Sequence, residues 1–207
     1  MPKGSEELTN ARRDEIINAC EALYKTMSFK EITLKNIGDI TSFTRTSIYN
    51  YFRTKEEIFL ALFEREYEHW NAALNDILDG SVQMTADGFA DAIARSLENR
   101  QLLLKIMSMN LYDIECNSRQ ERLTDFKAQY GRCISSLEAC LEKYFPDMTE
   151  AERQDFIYAF FPFMFGIYPY TYVNEKQRAA MEAAGVKYKL RTVYEITCSC
   201  VKMLLGG

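Results

Sequence analysis

The chain has 207 residues, 47% of them hydrophobic, with only 9 Gly and 4 Pro, so it can bury a sizeable core and is neither loop-rich nor disordered. Its formal charge of −5 excludes indiscriminate nucleic-acid binding by the molecule as a whole. With a single histidine, no Gly-rich phosphate loop and no His/Cys cluster at metal-ligand spacing, no catalytic residue, metal or cofactor is expected, and an enzyme is excluded.

Residues 1–9 are polar and expected to fray, after which Ile16, Cys20, Leu23 and Met27 mark the buried stripe of a first helix. Thr33 is placed to N-cap a short helix with Ile37 and Ile40 at helical spacing, running to about Ile40. Thr41-Ser42-Phe43 breaks it, and Thr44 is placed to cap a second helix reaching about Tyr51. In that helix Ile48 and Phe52 turn inward, while Arg45, Thr46 and Ser47 face out. Thr54-Lys55-Glu56-Glu57 then reads as a capping box, with Thr54 accepting from the Glu57 N–H and the carboxylate reaching back, so a long helix starts at Lys55. Two short helices joined by a tight turn and bracketed by longer ones form a helix-turn-helix, with small polar and basic side chains where a major groove would lie. Double-stranded DNA is the implied partner, and Lys3 and Arg12 lie near enough in sequence to reach phosphate.

The charge distribution agrees. Residues 1–55 hold 9 Lys+Arg against 7 Asp+Glu and residues 56–207 hold 16 against 23, a net +2 and −7. A modestly basic head thus sits on an acidic body, with local positive potential from Lys3, Arg12, Arg13, Lys35, Arg45, Arg53 and Lys55.

The long helix carries Phe59, Leu62, Phe63, Tyr67, Trp70, Leu74 and Ile77 on one side and ends at Asp79-Gly80-Ser81; His69 reads as an exposed helix residue. Further helices are expected at about 85–99, 101–116 and 118–144, the last started by a Ser118-Arg-Gln-Glu121 box and stopped at Phe145-Pro146-Asp147. Thr149-Glu-Ala-Glu152 caps the next helix. From Phe156 to Tyr168 it is apolar all round, so one side should face the core and another a second subunit. The 18 uncharged residues 156–173 contain two prolines, a glycine and several polar groups, which argues against a membrane span. Pro169 in Tyr168-Pro-Tyr-Thr-Tyr172 should break this helix, leaving a wall or lid helix over 174–184 before Gly185 and a final helix over about 187–205. Pairing the two apolar helices with their symmetry mates gives a four-helix interface and a C2 homodimer. No hydrophobic stretch follows the start, so the expected location is cytoplasmic. The six cysteines are expected to be thiols, Cys20, Cys133 and Cys140 as core filling, and Cys198-x-Cys200 fits no zinc spacing.

The segment Tyr49-x-Tyr51-Phe52-x-Thr54-Lys55-Glu56-Glu57-Ile58 resembles the signature of the TetR family of bacterial regulators, over roughly residues 10–62. The resemblance implies phosphate contacts by Tyr49, Lys55 and Thr33, and a recognition helix that carries Thr44, Arg45, Thr46, Ser47 and Asn50 into the major groove. Ser42 stands where the family usually has a turn glycine, implying a positive φ, and Gly38 stands where alanine is common. The resemblance also implies a small-molecule pocket. Its expected lining is Trp70, Met107, Tyr112, Phe126, Tyr130, Phe163, Phe165 and Tyr168, suited to an apolar or aromatic effector.

The expected fold is therefore all-α: a three-helix helix-turn-helix domain over 1–54 and a larger helical effector-binding and dimerisation domain over 55–207, with about nine to ten helices in all. The expected function is a homodimeric regulator, a repressor released from a palindromic operator by a small effector. A helical ligand-binding or docking module without operator binding, and a thiol redox regulator, are the alternatives.

Overall fold

The computed structural model describes residues 3–80, 82–109, 111–187 and 189–206, with side chains from Glu7 onward. Among these residues there are eleven α-helices and no strand: α1 (Lys3–Thr26), α2 (Leu34–Ile40), α3 (Arg45–Ile48), α4 (Lys55–Asp79), α5 (Ala86–Glu98), α6 (Gln101–Met107), α7 (Leu111–Cys116), α8 (Gln120–Tyr144), α9 (Glu150–Thr171), α10 (Glu175–Ala183) and α11 (Val193–Leu204). The chain forms two compact units, Met1–Arg65 with Asn110–Gln129, and Glu66–Met109 with Tyr130–Gly207. Both α4 and α8 begin in the first unit and end in the second. The first unit is thus larger than residues 1–54, because α7 and the start of α8 join it.

In the first unit Ile16, Cys20, Ile32, Ile37, Ile48, Phe52, Phe59 and Phe63 are all fully buried. The Phe59 ring is flanked edge-on by Tyr24 at 5.1 Å and Phe29 at 4.8 Å, a favoured aromatic arrangement. Helix α1 begins at Lys3, so the expected frayed segment 1–9 is helical where described; the Lys3 side chain lies outside the described residues. Ile40 is 52% exposed and does not share the buried face of Ile37. Residues 49–51 form turns after α3, which is therefore shorter than the expected 44–51 helix.

Four further boundaries in the chain differ from expectation, each for a local reason. The 101–116 helix is two: Ser108 ends α6, its N–H donating to Leu104 and Ile106 and its hydroxyl to the Lys105 carbonyl at 2.8 Å. Before α8, Ser118 donates its hydroxyl to the Ile114 carbonyl instead of capping forward. Helix α9 runs through Pro169 to Thr171, as it also runs through Pro162; its last turn is closed by Thr171 Oγ1, which donates back to the Ile167 and Tyr168 carbonyls, and by the Tyr172 N–H, which donates to the Tyr168 carbonyl at 3.0 Å. Helix α11 starts at Val193 because a Thr192–Glu195 capping box fixes its end, so 189–192 lie before the helix. The Ser81 end of α4 lies outside the described residues.

The second unit is cored by Trp70, Leu74, Phe89, Ile93, Leu97, Leu104, Cys133, Leu137, Phe160 and Met164, all fully buried. Helix α11 packs on α5 and α9, and α6 on α9. Tyr194 donates its hydroxyl to Asp91 at 2.6 Å and Lys202 pairs with Asp87 at 2.7 Å, adding polar links between α11 and α5. Helix α9 opens with the expected Thr149–Glu152 box and buries Phe156, Ile157, Phe160, Phe161, Met164 and Ile167. Its other side leaves Tyr158 75% and Tyr170 60% exposed. No helix of the described residues is long and apolar enough to cross a membrane.

Candidate nucleic-acid interface

The short helix α3 is too small to hold itself in place, since four residues close barely one turn. Its neighbours hold it. Thr33 caps α2 in a full box with Asn36, accepting from the Asn36 N–H at 3.2 Å while its own N–H donates to Asn36 Oδ1 at 3.0 Å. The turn between α2 and α3 is held from α1: Ser42 donates both its N–H and its hydroxyl to the Glu15 carboxylate. No non-glycine residue among those described has a positive φ, so the glycine-type turn implied for Ser42 is absent and Glu15 fixes the turn instead. The Arg12 guanidinium lies 5.7 Å from the Phe43 ring on the same turn. Gly38 lets α3 approach α2 closely, because a Cβ there would stand 3.2 Å from both Cα and Cβ of Arg45. Behind α3, Ile48 and Phe52 have no exposed surface, and Arg13 and Arg122 lie over the Phe52 ring at 5.9 and 5.8 Å.

With that wedge buried, the other side of α3 is open. Thr44, Arg45, Thr46, Tyr49 and Asn50 are exposed and Ser47 is half-buried. Arg45 Nη2 lies 3.5 Å from the Tyr49 hydroxyl, so guanidinium and phenol share one patch. Lys35 and Arg53 are exposed, and Thr44 stands at the N-cap without a side-chain cap bond, its hydroxyl 3.1 Å from that of Ser47. Two expected contacts are differently engaged. The Thr33 hydroxyl is taken up by its cap, donating to Asn36 Oδ1 at 2.6 Å. Lys55 Nζ donates to the carbonyls of Phe29 at 2.8 Å and Ile32 at 3.0 Å and lies 4.3 Å from the Phe29 ring, tying α4 to the turn after α1.

Of the Thr54 box only the forward half forms, the Glu57 N–H donating to Thr54 Oγ1 at 3.2 Å. The Glu57 carboxylate, 1% exposed, turns elsewhere. It accepts from the Arg53 N–H at 2.8 Å, the Arg119 N–H at 3.1 Å, and Arg119 Nε and Nη2 at 2.6 and 2.9 Å. Burial works to raise its pKa, but these bonds and the guanidinium charge outweigh it and hold the carboxyl at about 2. Arg119 Nη2 also donates to the Tyr51 carbonyl at 3.3 Å, and Thr54 Oγ1 donates to the Asn117 carbonyl at 3.1 Å. Glu15 and Arg119 escaped the sequence reading because their partners lie 27 and 62 positions away.

Of the eight expected effector residues, Trp70, Met107, Tyr130, Phe163, Phe165 and Tyr168 lie in the second unit and Tyr112 and Phe126 in the first. Trp70 and Tyr130 belong to an aromatic cluster of the second unit, with Trp70 5.8 Å and Tyr130 5.3 Å from Phe161 and Tyr130 5.7 Å from Tyr67. Trp70 Nε1 donates to Ser96 Oγ at 3.1 Å, and burial raises the Tyr130 pKa. Met107 is buried on α6, and Phe163 and Phe165 are half-buried on α9. Tyr168 stacks on Tyr172 at 4.7 Å beside an open cleft of about 540 Å³ lined also by Asn174, Gln177, Arg178 and Leu190. Tyr112 is 75% exposed, and Phe126 packs on Phe63 at 5.0 Å in the first unit, so neither belongs with the others. His69 is exposed, its Nδ1 3.6 Å from Glu66. All six cysteines are free; burial pushes Cys20 and Cys133 up to about 12 and Cys140 to about 11, which suppresses thiolate chemistry at these three.

Comparison with known proteins finds relatives of this chain. A family profile described as the tetracyclin repressor-like C-terminal domain matches residues 64–193. The HTH-type transcriptional regulator YfiR of Bacillus subtilis is 32% identical over 143 residues, 69% of each chain. An HTH-type transcriptional repressor of Mycobacterium tuberculosis, Rv1474c, is 28% identical over 72 residues, 35% of this chain and 38% of that one. The crystal structure of PfmR, a TetR family transcriptional regulator from Thermus thermophilus, superimposes with a TM-score of 0.60 at 13% identity, covering 93% of this chain and 97% of that one, and shares the fold.

Proposed function

Because this chain belongs to the TetR family of transcriptional regulators, we propose that its DNA contacts are made by the open side of α3 and the turn after it. The protein is a DNA-binding regulator and not an enzyme. The observation that carries the site assignment is the contrast between exposed Arg45, Thr46, Tyr49 and Asn50 and fully buried Ile48 and Phe52 on the same short segment. Arg45 and Thr46 are assigned to base edges, and Tyr49, Asn50, Lys35 and Arg53 to phosphates, which position the protein without reading sequence. Lys55 acts through the turn it clasps, with one N–H left for phosphate.

TetR-family regulators bind operator DNA and usually dimerise. In the proposed dimer the open side of α9 meets its symmetry mate, and two recognition segments are set about 34–36 Å apart, the spacing of successive major grooves. A small apolar or aromatic effector held in the second unit, against Trp70, Met107, Tyr130, Phe163, Phe165 or Tyr168, would relieve repression by changing that spacing. A coupling of about 1–3 kcal/mol changes operator affinity about 5- to 150-fold.

The test is binding to a duplex of the protein's own upstream region beside a scrambled duplex, at two salt concentrations. Arg45→Ala is expected to weaken specific binding by about 1–3 kcal/mol and relax the sequence preference, while Tyr49→Phe weakens both duplexes alike. Equal binding of wild type to native and scrambled DNA, or an unchanged preference in Arg45→Ala, would remove the assignment.

A further inference from the structure

The bond network around Glu57 lies behind the proposed DNA contacts and has a geometry that packing alone does not require. Arg119 presents a fork, Nε and Nη2, to the two oxygens of a carboxylate that is 1% exposed, and adds its backbone N–H to the same group. That arrangement is specific to a guanidinium, since an ammonium has no fixed fork. The same Nη2 reaches the Tyr51 carbonyl, two residues after Tyr49, and the adjoining Asn117 carbonyl receives the Thr54 hydroxyl. The stretch from the end of the recognition turn to the first turn of α4 is therefore stitched to residues 117–119 at three points. The Arg119 side chain is 30% exposed, but its Nε and Nη2 are committed to Glu57 and the Tyr51 carbonyl.

Resting on the assignment of α3 as the DNA-reading element, we infer that Arg119 is a positioning residue for operator recognition. It fixes where the Tyr49 to Phe52 turn leaves α3 through Tyr51 and Glu57, and does so without touching DNA. It also stands directly before α8, which continues into the second unit, so a shift of α8 along its axis would be felt at the Tyr51 carbonyl.

The decisive variant is Arg119→Lys, which keeps the charge and loses the fork; Arg119→Ala would strand a buried carboxylate and confuse positioning with unfolding. Operator affinity is expected to fall about tenfold, within the range of coupling seen inside one hydrogen-bond network, with the salt slope unchanged. Lys35→Ala, which removes a cation assigned to phosphate, by contrast flattens the slope by about one. Glu57→Gln should reproduce the loss, and the double variant should be no worse than either single one. Wild-type affinity in Arg119→Lys, a flattened slope, or additive losses would overturn the inference. Hydrogen exchange on DNA-free protein separates this from the DNA reading: amides 51–57 should exchange faster in Arg119→Lys while those of α1 hold, and unchanged exchange there would refute the positioning role even where operator binding itself fails.

Discussion

At Gly38 one missing atom sets how closely α3 approaches α2. In the middle of a seven-residue helix a glycine weakens the helix by about 1 kcal/mol against alanine, so propensity alone counts against it. The 3.2 Å approach to the Arg45 backbone supplies the reason it is there. Gly38→Ala is expected to change thermal stability little, since gained helix propensity offsets crowding, yet to weaken operator binding several-fold by displacing Arg45. Wild-type affinity in that variant would mean the close approach has no bearing on recognition. The residues that point outward or inward along α3 were legible from their helical spacing, as were Ile48 and Phe52 as core. Glu15, Arg119 and the inward reach of Lys55 were not, because a hydrogen bond across 23 to 62 positions leaves no periodic trace in the chain.

At the scale of elements, the starts of α2, α5, α9 and α10 were legible, while those of α1, α8 and α11 were not. Thr33, Thr85, Thr149 and Asn174 all accept from a backbone N–H three residues on, because a cap is a local bond between near neighbours. Proline misled at 169: the helix runs through it, as through Pro162, and closes one turn later with Thr171 Oγ1 on the Ile167 and Tyr168 carbonyls. Helix α9 was read correctly as apolar on more sides than one core can cover. Its open side has Tyr158 and Tyr170 exposed and nothing within 4 Å of a Cβ at Gly166. Tyr158→Glu and Tyr170→Glu, placed together, are expected to convert a dimer to a monomer by light scattering after gel filtration. A variant that remains dimeric would move the subunit interface away from this face.

For the whole molecule, composition and hydrophobic period were enough for an all-helical chain, and a local motif was enough for the helix-turn-helix. The division into units was not legible, because the first unit borrows residues 110–129 from the far side of a 44-residue excursion through the second. No local signal in a sequence marks which distant segment will return. The expected effector residues are likewise divided, Phe126 belonging to the first unit and Trp70 to the second.

The buried cysteines make that division observable in time. Cys20 lies in the first unit, Cys133 and Cys140 in the second, and each is screened from solvent, while Cys116 is exposed. In a chain whose Cys116, Cys198 and Cys200 are replaced by serine, an aromatic disulfide reagent meets only thiols that must wait for their own unit to open. Equal labelling rates across the three sites would mean that the molecule breathes as one body; a faster rate at Cys20 than at Cys133 and Cys140 would mean that the DNA-reading unit opens on its own clock, and labelling of any of the three as fast as wild-type Cys116 would contradict the burial seen here.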